Sequence, residues 1–105
     1  MADTSGNFTV RGTVNAQSDI SSKKNIVQIT DHFKILDGIR GVRFNWIEND
    51  KPSAGLIAQE VQEVIPELIH KEGEKLSLNY NGMIGVLVEA VKELKAEIEK
   101  LKAAK

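Results

Sequence analysis

The C-terminal segment "MIGVLVEAVKELKAEIEKLKAAK" repeats an apolar pattern that leaves few structures open to it. Aliphatic residues recur there at alternating intervals of three and four positions, and we call them the seam: Ile84, Leu87, Val91, Leu94, Ile98 and Leu101. This spacing is typical of a coiled coil with β-branched residues at heptad position a and leucine at position d. Glu97 falls at position g and Lys102 at the next e, where they can form ion pairs between parallel helices.

The seam predicts that several copies of the chain associate through a parallel coiled coil. The alternative is an amphipathic helix that packs on its own domain, but little chain follows Leu94 to cover such a stripe. A chain of 105 residues buries a smaller share of its surface than a larger one, so association would add stability. β-branched a residues with leucine at d favour two strands by themselves, so composition does not decide the number of helices.

The remaining composition argues against several classes of function. The chain has 14 basic and 15 acidic residues, so its net charge of −1 gives no overall attraction for nucleic acid or an anionic membrane. It has no cysteine, and its two histidines, His32 and His70, lie far apart, which argues against a zinc site. There is no secretory signal pattern at the start and no apolar run near the ~18 residues of a membrane span. We predict no metal, no cofactor, and no nucleic-acid or membrane partner.

The N-terminal residues 1–17 predict a β-structured arm. Phe8, Val10 and Val14 alternate with polar residues, and Gly12 suits a bend between short strands. The segment is too small to fold alone. It is either the end of a larger β structure or an arm that pairs with another chain.

The middle of the chain predicts short helices and strands, and therefore an α+β fold. Residues 22–37 space four apolar side chains as one helical face that ends near Gly38: Ile26, Ile29, Phe33 and Leu36. A strand over residues 42–47 follows, with Phe44 and Trp46 on one face and the turn residues "ENDKPS" after it.

A second helix and a second strand complete this region. The helix begins near residue 57, puts Ile57, Val61, Val64 and Leu68 on one face, and should end or kink at Pro66. The segment "KLSLNY" predicts a strand after a turn around Gly73.

The stretch "NAQSDISSKKNI", residues 15–26, has two interpretations. It is a polar linker in which Asp19, Ser21 or Ser22 caps a helix, or it is a site in which Ser18 and Lys23 perform chemistry. Serine, aspartate and lysine are common in linkers, so the stretch alone favours the linker.

Four segments, taken in order, resemble one known family: "SDISSKKNI", "LDGIRGVRFNW", "AGLIAQEVQEVIPELI" and "LSLNYNGMIGVLVEAVKELKAEIEKL". Together, over residues 18–102, they look like the peptidase S74 domain, the C-terminal intramolecular chaperone of bacteriophage tail fibres, tailspikes and neck appendages. The upstream "NFTVRGTVNAQ" resembles the end of a fibre shaft.

The resemblance implies a fold and a mode of action. Three copies would associate through the C-terminal helices, with the seam as the trimer interface, and hold three shaft strands in register while a β fibre folds. The implied division is 1–17 for the end of the shaft, 18–82 for the chaperone and autopeptidase core, and 83–105 for the trimerisation helix. The implied location is a virion tail-fibre or tailspike precursor that is assembled in the host cytoplasm. The chaperone domain would be released after cleavage.

The resemblance also implies a Ser-Lys dyad that cuts the chain once at its own N-terminal boundary. The family's serine falls on Ser18, which the expected Asp19 follows, and the family's lysine falls on Lys23. The pair Ser21-Ser22 departs from the charged or bulky pair that the family often has, but the dyad positions are kept.

The dyad imposes two physical conditions. Residues five apart lie about 140° apart on an α-helix, so Ser18 must lie in an extended segment that folds back over the first turn of a helix carrying Lys23. A lysine with an ordinary pKa of about 10.4 is protonated at neutral pH and is no base. A helix N-terminus, the adjacent Lys24 and burial beneath a neighbouring chain would each favour the neutral amine, and burial has the largest effect.

The bond that breaks stays open among Gln17, Ser18 and Asp19. Attack by the Ser18 hydroxyl on the Gln17 carbonyl forms a five-membered intermediate and breaks the Gln17–Ser18 bond. Cleavage of Ser18–Asp19 requires another nucleophile, such as an activated water or the serine of another chain. An oxyanion stabiliser is also required, and Gln59 and Asn79 are candidates that suit structural roles better.

The other conspicuous residues favour structural roles. Phe44, Trp46 and Tyr80 suit a core or an interface, and both histidines suit a surface or partly buried position. Two rivals to the self-cleaving chaperone remain: a trimerisation module with an inactive dyad, and the related domain of an animal membrane-associated transcription factor. The β pattern before Ser18 and the absence of a nearby membrane span argue against the second rival.

Overall fold

Two antiparallel hairpins and three α-helices make up the part of the chain that the computed structural model describes, which is residue 15 and residues 17–104. In chain order, the elements are a 3₁₀ turn (Ile20–Ser22), α1 (His32–Asp37), β1 (Val42–Asn45), β2 (Pro52–Gly55), α2 (Ala58–Val64), a second 3₁₀ turn (Pro66–Leu68), β3 (Ile69–Glu72), β4 (Lys75–Leu78) and α3 (Tyr80–Ala103). The α+β class and the long C-terminal helix are as predicted. The predicted N-terminal arm lies outside the described residues, apart from its last part, and stays a prediction.

The helix predicted over residues 22–37 is wrong in its first half, and only α1 is helical there. The chain makes the single 3₁₀ turn and then runs without regular secondary structure to Asp31; we call residues 23–31 the strap. Asn25 has a left-handed backbone with φ of 53°, and β-branched residues are frequent after it. β-branched side chains disfavour helix, and contacts with α3 described below hold the strap instead. The predicted end is right, since Gly38 caps α1.

Each hairpin pairs neighbouring strands in an antiparallel register. β1 pairs with β2 from Val42 opposite Gly55, and β3 pairs with β4 from Ile69 opposite Leu78. β1 is shorter than predicted because the chain turns after Asn45, where the Trp46 amide donates to the Lys51 carbonyl at 2.9 Å. β2 and β3 were not predicted, whereas β4 and α2 lie close to their predicted positions.

The core lies where α1, α2 and α3 meet. Its buried apolar members come from all three helices and from the residue that follows α2: Ile35, Val61, Ile65, Met83 and Val86. Val61 is fully buried on the face of α2 that the sequence predicted. Pro66 begins the turn that follows α2, as its missing amide donor favours.

Helix α3 begins at a well-defined cap against this core. The Asn79 side chain accepts from the Gly82 amide, and the Asn79 amide donates to the Leu68 carbonyl at 2.8 Å. Only the first half of α3 contributes buried residues, and from Val91 onward every described residue of the helix is exposed. The second half therefore extends beyond the core that the first half helps to build.

Candidate active site

The structure brings Ser18 and Lys23 into direct contact. The Lys23 ammonium Nζ donates to Ser18 Oγ at 2.9 Å, and both side chains are exposed. A hydroxyl that accepts from an amine can also donate to it once the amine is neutral, which is the arrangement a general base requires. The contact therefore has the geometry of a nucleophile beside a base.

The turn between these residues differs from the predicted one. Lys23 does not lie in the first turn of an α-helix but follows the 3₁₀ turn, with an extended backbone at φ of −123° and ψ of 147°. Its amide donates to the Ile20 carbonyl at 3.1 Å, which closes the turn. The prediction that a helix N-terminus would favour the neutral amine is therefore wrong, because Lys23 sits at the C-terminal end of the turn.

Asp19 caps the same turn, so one of the capping candidates is identified. Its Oδ1 accepts from the Ser21 amide at 2.8 Å, and its carbonyl accepts from the Ser22 amide at 3.1 Å. The hydrogen bond from the Ser21 amide is the main cause that lowers the pKa of Asp19 below its ordinary value. The linker and the dyad interpretations therefore both apply to residues 18–23, because the turn that Asp19 caps also joins Ser18 to Lys23.

The dyad lies in an exposed stretch that contains both polar and aliphatic side chains. Gln17 and Asp19, the other residues of the predicted cleavage site, are exposed beside Ser18. Ile20, Ile26 and Val27 are exposed by 74%, 65% and 83%. A single chain therefore leaves aliphatic side chains in water between the two dyad residues and shortly after Lys23 in the sequence.

The strap and the residue after it, His32, attach the chain that follows the dyad to the rest of the domain. They form two polar contacts with α3 and one apolar contact with the core. Gln28 Nε2 donates to Glu89 Oε1 at 2.6 Å, and His32, just after the strap, lies 3.0 Å from Glu93 Oε1 through Nε2. Ile29 is partly buried against the core. The Gln28 hydrogen bond is the main cause that lowers the pKa of Glu89.

His32 corrects the prediction that both histidines are at the surface or partly buried. His32 is buried at 5% exposure and packs edge-on against Phe33, whereas His70 is exposed on β3. The Nδ1 atom of His32 is buried without a hydrogen-bond partner among the described residues. No local pattern in the sequence marks His32 as buried.

The seam is exposed along its whole length in the single chain. Exposure of its six residues ranges from 47% at Leu87 to 68% at Leu101. The buried side of α3 is a different face, formed by Met83, Val86 and Ala90. The seam is therefore free to contact other copies of the chain.

The two candidate oxyanion stabilisers lie elsewhere in the fold. Asn79 uses its side chain to cap α3, which is a structural role. Gln59 is exposed in the first turn of α2 and lines an apolar groove of ~410 Å³ together with Phe44, Trp46 and Tyr80. The Tyr80 hydroxyl accepts from the Leu56 amide at 3.2 Å, and Phe44 and Trp46 stack edge to face with ring centres 4.9 Å apart. Neither amide is placed at the dyad by the contacts that the structure shows.

Two further properties concern the described residues only. They bring together no cluster of three or more side chains suited to holding a metal ion. None of their helices combines the length and the apolarity that crossing a membrane requires.

These features define an α+β module with a serine-lysine pair at one end and an unpaired heptad helix at the other. The chain belongs to the peptidase S74 family, described as the chaperone of endosialidase, whose model matches residues 18–70. The matched segment begins at the serine of the dyad.

Relatives with curated descriptions come from bacteriophages. The chain is 40% identical over 91 residues to the long tail fiber protein Gp37 of Escherichia phage AR1, an alignment that covers 76% of this chain and 8% of the relative. It is 34% identical over 108 residues to the protein of the same name from Salmonella phage S16, covering 85% of this chain and 14% of the relative. For the Gp37 of Enterobacteria phage K3, the identity is 31% over 97 residues, covering 83% and 8%. The chain thus spans only a small part of the length of these relatives.

Proposed function

We propose that the chain is a self-cleaving intramolecular chaperone of a phage tail fibre or tailspike, and that Ser18 and Lys23 cut it once from the segment that precedes it. The observation that carries the proposal is the 2.9 Å hydrogen bond from Lys23 Nζ to Ser18 Oγ. Membership of the peptidase S74 family and the tail-fibre relatives provide the setting.

The chemistry follows from the position of the serine. The neutral amine of Lys23 takes the Ser18 hydroxyl proton while Oγ attacks the carbonyl carbon of Gln17. The five-membered intermediate collapses as the bond from that carbon to the Ser18 nitrogen breaks and the nitrogen takes the proton from Lys23. An ester between Gln17 and Oγ remains. Water then hydrolyses it to a Gln17 carboxylate and a chain that begins with Ser18.

The base must first lose a proton, and assembly provides a way. Lys23 is exposed in the single chain, where an ammonium group is well solvated. Removal from water disfavours the charged form of an amine. Coverage of the dyad and its apolar neighbours by another protomer would therefore produce the neutral base only in the assembled state.

The seam supports the assembly half of the proposal. Three parallel copies of α3 would bury its six aliphatic side chains against one another and hold three preceding segments in register. In this division residues 1–17 end the β shaft, 18–82 form the core, and 83–105 form the trimerisation helix. The shaft is both client and substrate. The virion fibre or tailspike precursor assembles in the host cytoplasm, and the chaperone domain is released after cleavage.

One observation supports a second candidate function. Ser18 and Lys23 are both exposed in the single chain, and an exposed lysine is a poor base. A trimerisation module of a fibre protein that never cuts itself would have this same contact. The two functions differ only in whether the chain is cleaved.

The mass of the purified chain after incubation tests the proposal. We expect the wild type to yield residues 1–17 and a remainder that begins with Ser18, and a remainder that begins with Asp19 would assign the cut to the next bond. Ser18→Ala and Lys23→Ala should both stay intact. Lys23→Arg should also stay intact, because arginine can donate to Oγ but does not deprotonate. Lys34→Ala, which removes an exposed lysine of α1, serves as the matched control and should be cut.

The decisive outcome concerns the wild type. An intact wild-type chain after prolonged incubation as a trimer would overturn the peptidase role and leave the trimerisation module. A Ser18→Ala chain that is cut at the wild-type rate would show that a different nucleophile acts.

A further inference from the structure

The contact between Ser18 and Lys23 depends on an unusual local path of the chain. Five extended residues span about 16–18 Å, and an α-helix would turn the two side chains away from each other. The observed path is one 3₁₀ turn with an extended residue on either side, Asp19 and Lys23. This path reverses the chain enough to bring Nζ to Oγ.

Hydrogen bonds, and not burial, hold this turn in place. None of Ile20, Ser21 and Ser22 is buried. The turn has two backbone hydrogen bonds of its own, and a single turn of helix is unfavourable in water because nucleation fixes several residues for few bonds. The Asp19 carboxylate adds a third bond, from the Ser21 amide at 2.8 Å.

We infer that Asp19 is a positioning residue for the dyad: its carboxylate caps the turn that brings Lys23 Nζ to Ser18 Oγ. The inference rests on the proposed self-cleavage. Asp19 acts here through the backbone, and in the described part of the chain its carboxylate forms neither an ion pair with Lys23 nor a hydrogen bond with the Ser18 hydroxyl. The lowered pKa of Asp19 agrees with this role, since the hydrogen bond from Ser21 stabilises the charged carboxylate.

The capping role of Asp19 predicts which side chains can replace it. Asparagine caps about as well as aspartate, so the cap needs a short acceptor and not a charge. Glutamate keeps the charge but places it one methylene further away. If Asp19 supported the reaction by its charge and not by capping, glutamate would replace it better than asparagine.

The test compares the self-cleavage rates of Asp19→Ala, Asp19→Asn and Asp19→Glu with that of the wild type at neutral pH. Loss of a cap should lower the rate of Asp19→Ala roughly 2- to 30-fold, from the usual cost of removing such a cap. Asp19→Asn should retain the rate, and Asp19→Glu should behave like Asp19→Ala. All variants should keep the wild-type association state and thermal unfolding midpoint, because the turn contributes nothing to the core.

A second readout follows the geometry without any reaction. In the uncut wild type and the uncut Asp19 variants, nuclear Overhauser effects between the Lys23 ε-methylene and the Ser18 β protons report how close the two side chains are. The effect should persist in Asp19→Asn and weaken in Asp19→Ala and Asp19→Glu.

The outcomes separate this inference from the proposed function. A wild type that stays intact overturns the self-cleavage, and the Overhauser series then decides whether Asp19 positions the pair. A wild type that is cut, together with Asp19→Ala at the wild-type rate and an unchanged Overhauser effect, overturns the inference alone. Rescue by glutamate and not by asparagine would overturn capping in favour of charge.

Discussion

The two halves of α3 differ in what surrounds them, although one sequence repeat runs through both. In the first half, Met83, Val86 and Ala90 are buried against the core, at 5%, 0% and 3% exposure. In the second half no described residue is buried, and Val91, Leu94 and Ile98 are more than half exposed. The buried face of the first half is explained by the fold of one chain, whereas its seam residues Ile84 and Leu87 are exposed. The second half has the pattern of a buried helix, and none of the described residues of its own chain bury it.

This difference indicates which interactions belong to folding and which belong to assembly. Burial of a leucine or isoleucine side chain contributes about 1.5–3 kcal/mol, and a single chain forgoes most of this along the seam. Lys and Glu on the other faces of the second half form pairs such as Lys95–Glu99, but exposed pairs of this kind contribute little. We therefore expect changes in the first half to unfold the domain and changes in the second half to prevent its association.

The largest effect should come from a charge in the first half. Val86→Asp places a carboxylate where the exposed fraction is zero, and burial of an unpaired charge costs about 4 kcal/mol or more. Urea unfolding followed by circular dichroism should show loss of most or all of the stability. Ala96→Asp, at an exposed outer position of the second half, is the matched control and should change it by less than about 0.5 kcal/mol. Similar effects of the two changes would contradict the assignment of Val86 to the core.

A charge in the second half should prevent association and leave the domain folded. Leu94→Asp puts a carboxylate at a d position of the seam, which three parallel helices would bury together. Sedimentation equilibrium should show the mass of one chain, and near-ultraviolet circular dichroism from Trp46 should still report a folded domain. An oligomer that survives Leu94→Asp would show that the seam is not the interface.

Two glycines sharpen the comparison within the first half. A Cβ at Gly82 would collide with Leu68, whereas one at Gly85 would lie 3.6 Å from Ile29 Cδ1, an ordinary contact. Gly82→Ala should therefore lose about 1–3 kcal/mol through overpacking, and Gly85→Ala should gain about 0.5–1 kcal/mol from helix propensity. Thermal unfolding of the two variants measures the difference, and equal shifts in one direction would contradict the tight packing of α3 on Leu68.

The smallest effect is the loss of folding stability in acid, and we expect it to come from two carboxyl groups, Glu60 and Glu89. Hydrogen bonds from Arg40 lower the pKa of Glu60, and the Gln28 hydrogen bond lowers that of Glu89. A carboxyl whose pKa is lower in the folded state than the ~4.3 of the unfolded chain stabilises the fold above that pH. This contribution is lost as the pH falls through the folded-state pKa.

The difference between two arginine variants measures this contribution. Arg40→Gln should have a lower unfolding midpoint than the wild type at pH 7, and the gap should shrink below about pH 4. Arg43→Gln, on the exposed side of β1, controls for loss of a positive charge. A gap that stays constant with pH would mean that the Arg40–Glu60 pair contributes nothing.

Much of this fold could be predicted because its signals are local. The seam repeats over the length of α3, Pro66 marks the end of α2, and Gly73 marks the turn before β4. β2 was missed because "PSAG" has little intrinsic preference for a strand, and it becomes one only by pairing with β1. Such pairing is not visible in four residues read alone.

The strap and His32 show the limit of periodicity. Ile26, Ile29 and Phe33 have helical spacing, yet residues 23–31 form no helix. The end of this segment is held by residues far away in the sequence, Glu89 and, through His32, Glu93. Tertiary contacts of this kind override a local pattern. Asp19 was among the predicted caps, and the Ser18–Lys23 contact was expected, but it was expected over the first turn of an α-helix and not across a 3₁₀ turn.

The dependence of cutting on assembly is the central claim, and one time course tests it most directly. The wild-type chain and Leu94→Asp are incubated over a series of concentrations that spans dissociation of the oligomer, and cleavage at residues 17–19 is followed by mass. We predict that the wild-type cleavage rate rises with the fraction of assembled chain, and that Leu94→Asp stays intact at every concentration. A folded, monomeric Leu94→Asp chain that is cut as fast as the assembled wild type would contradict the account.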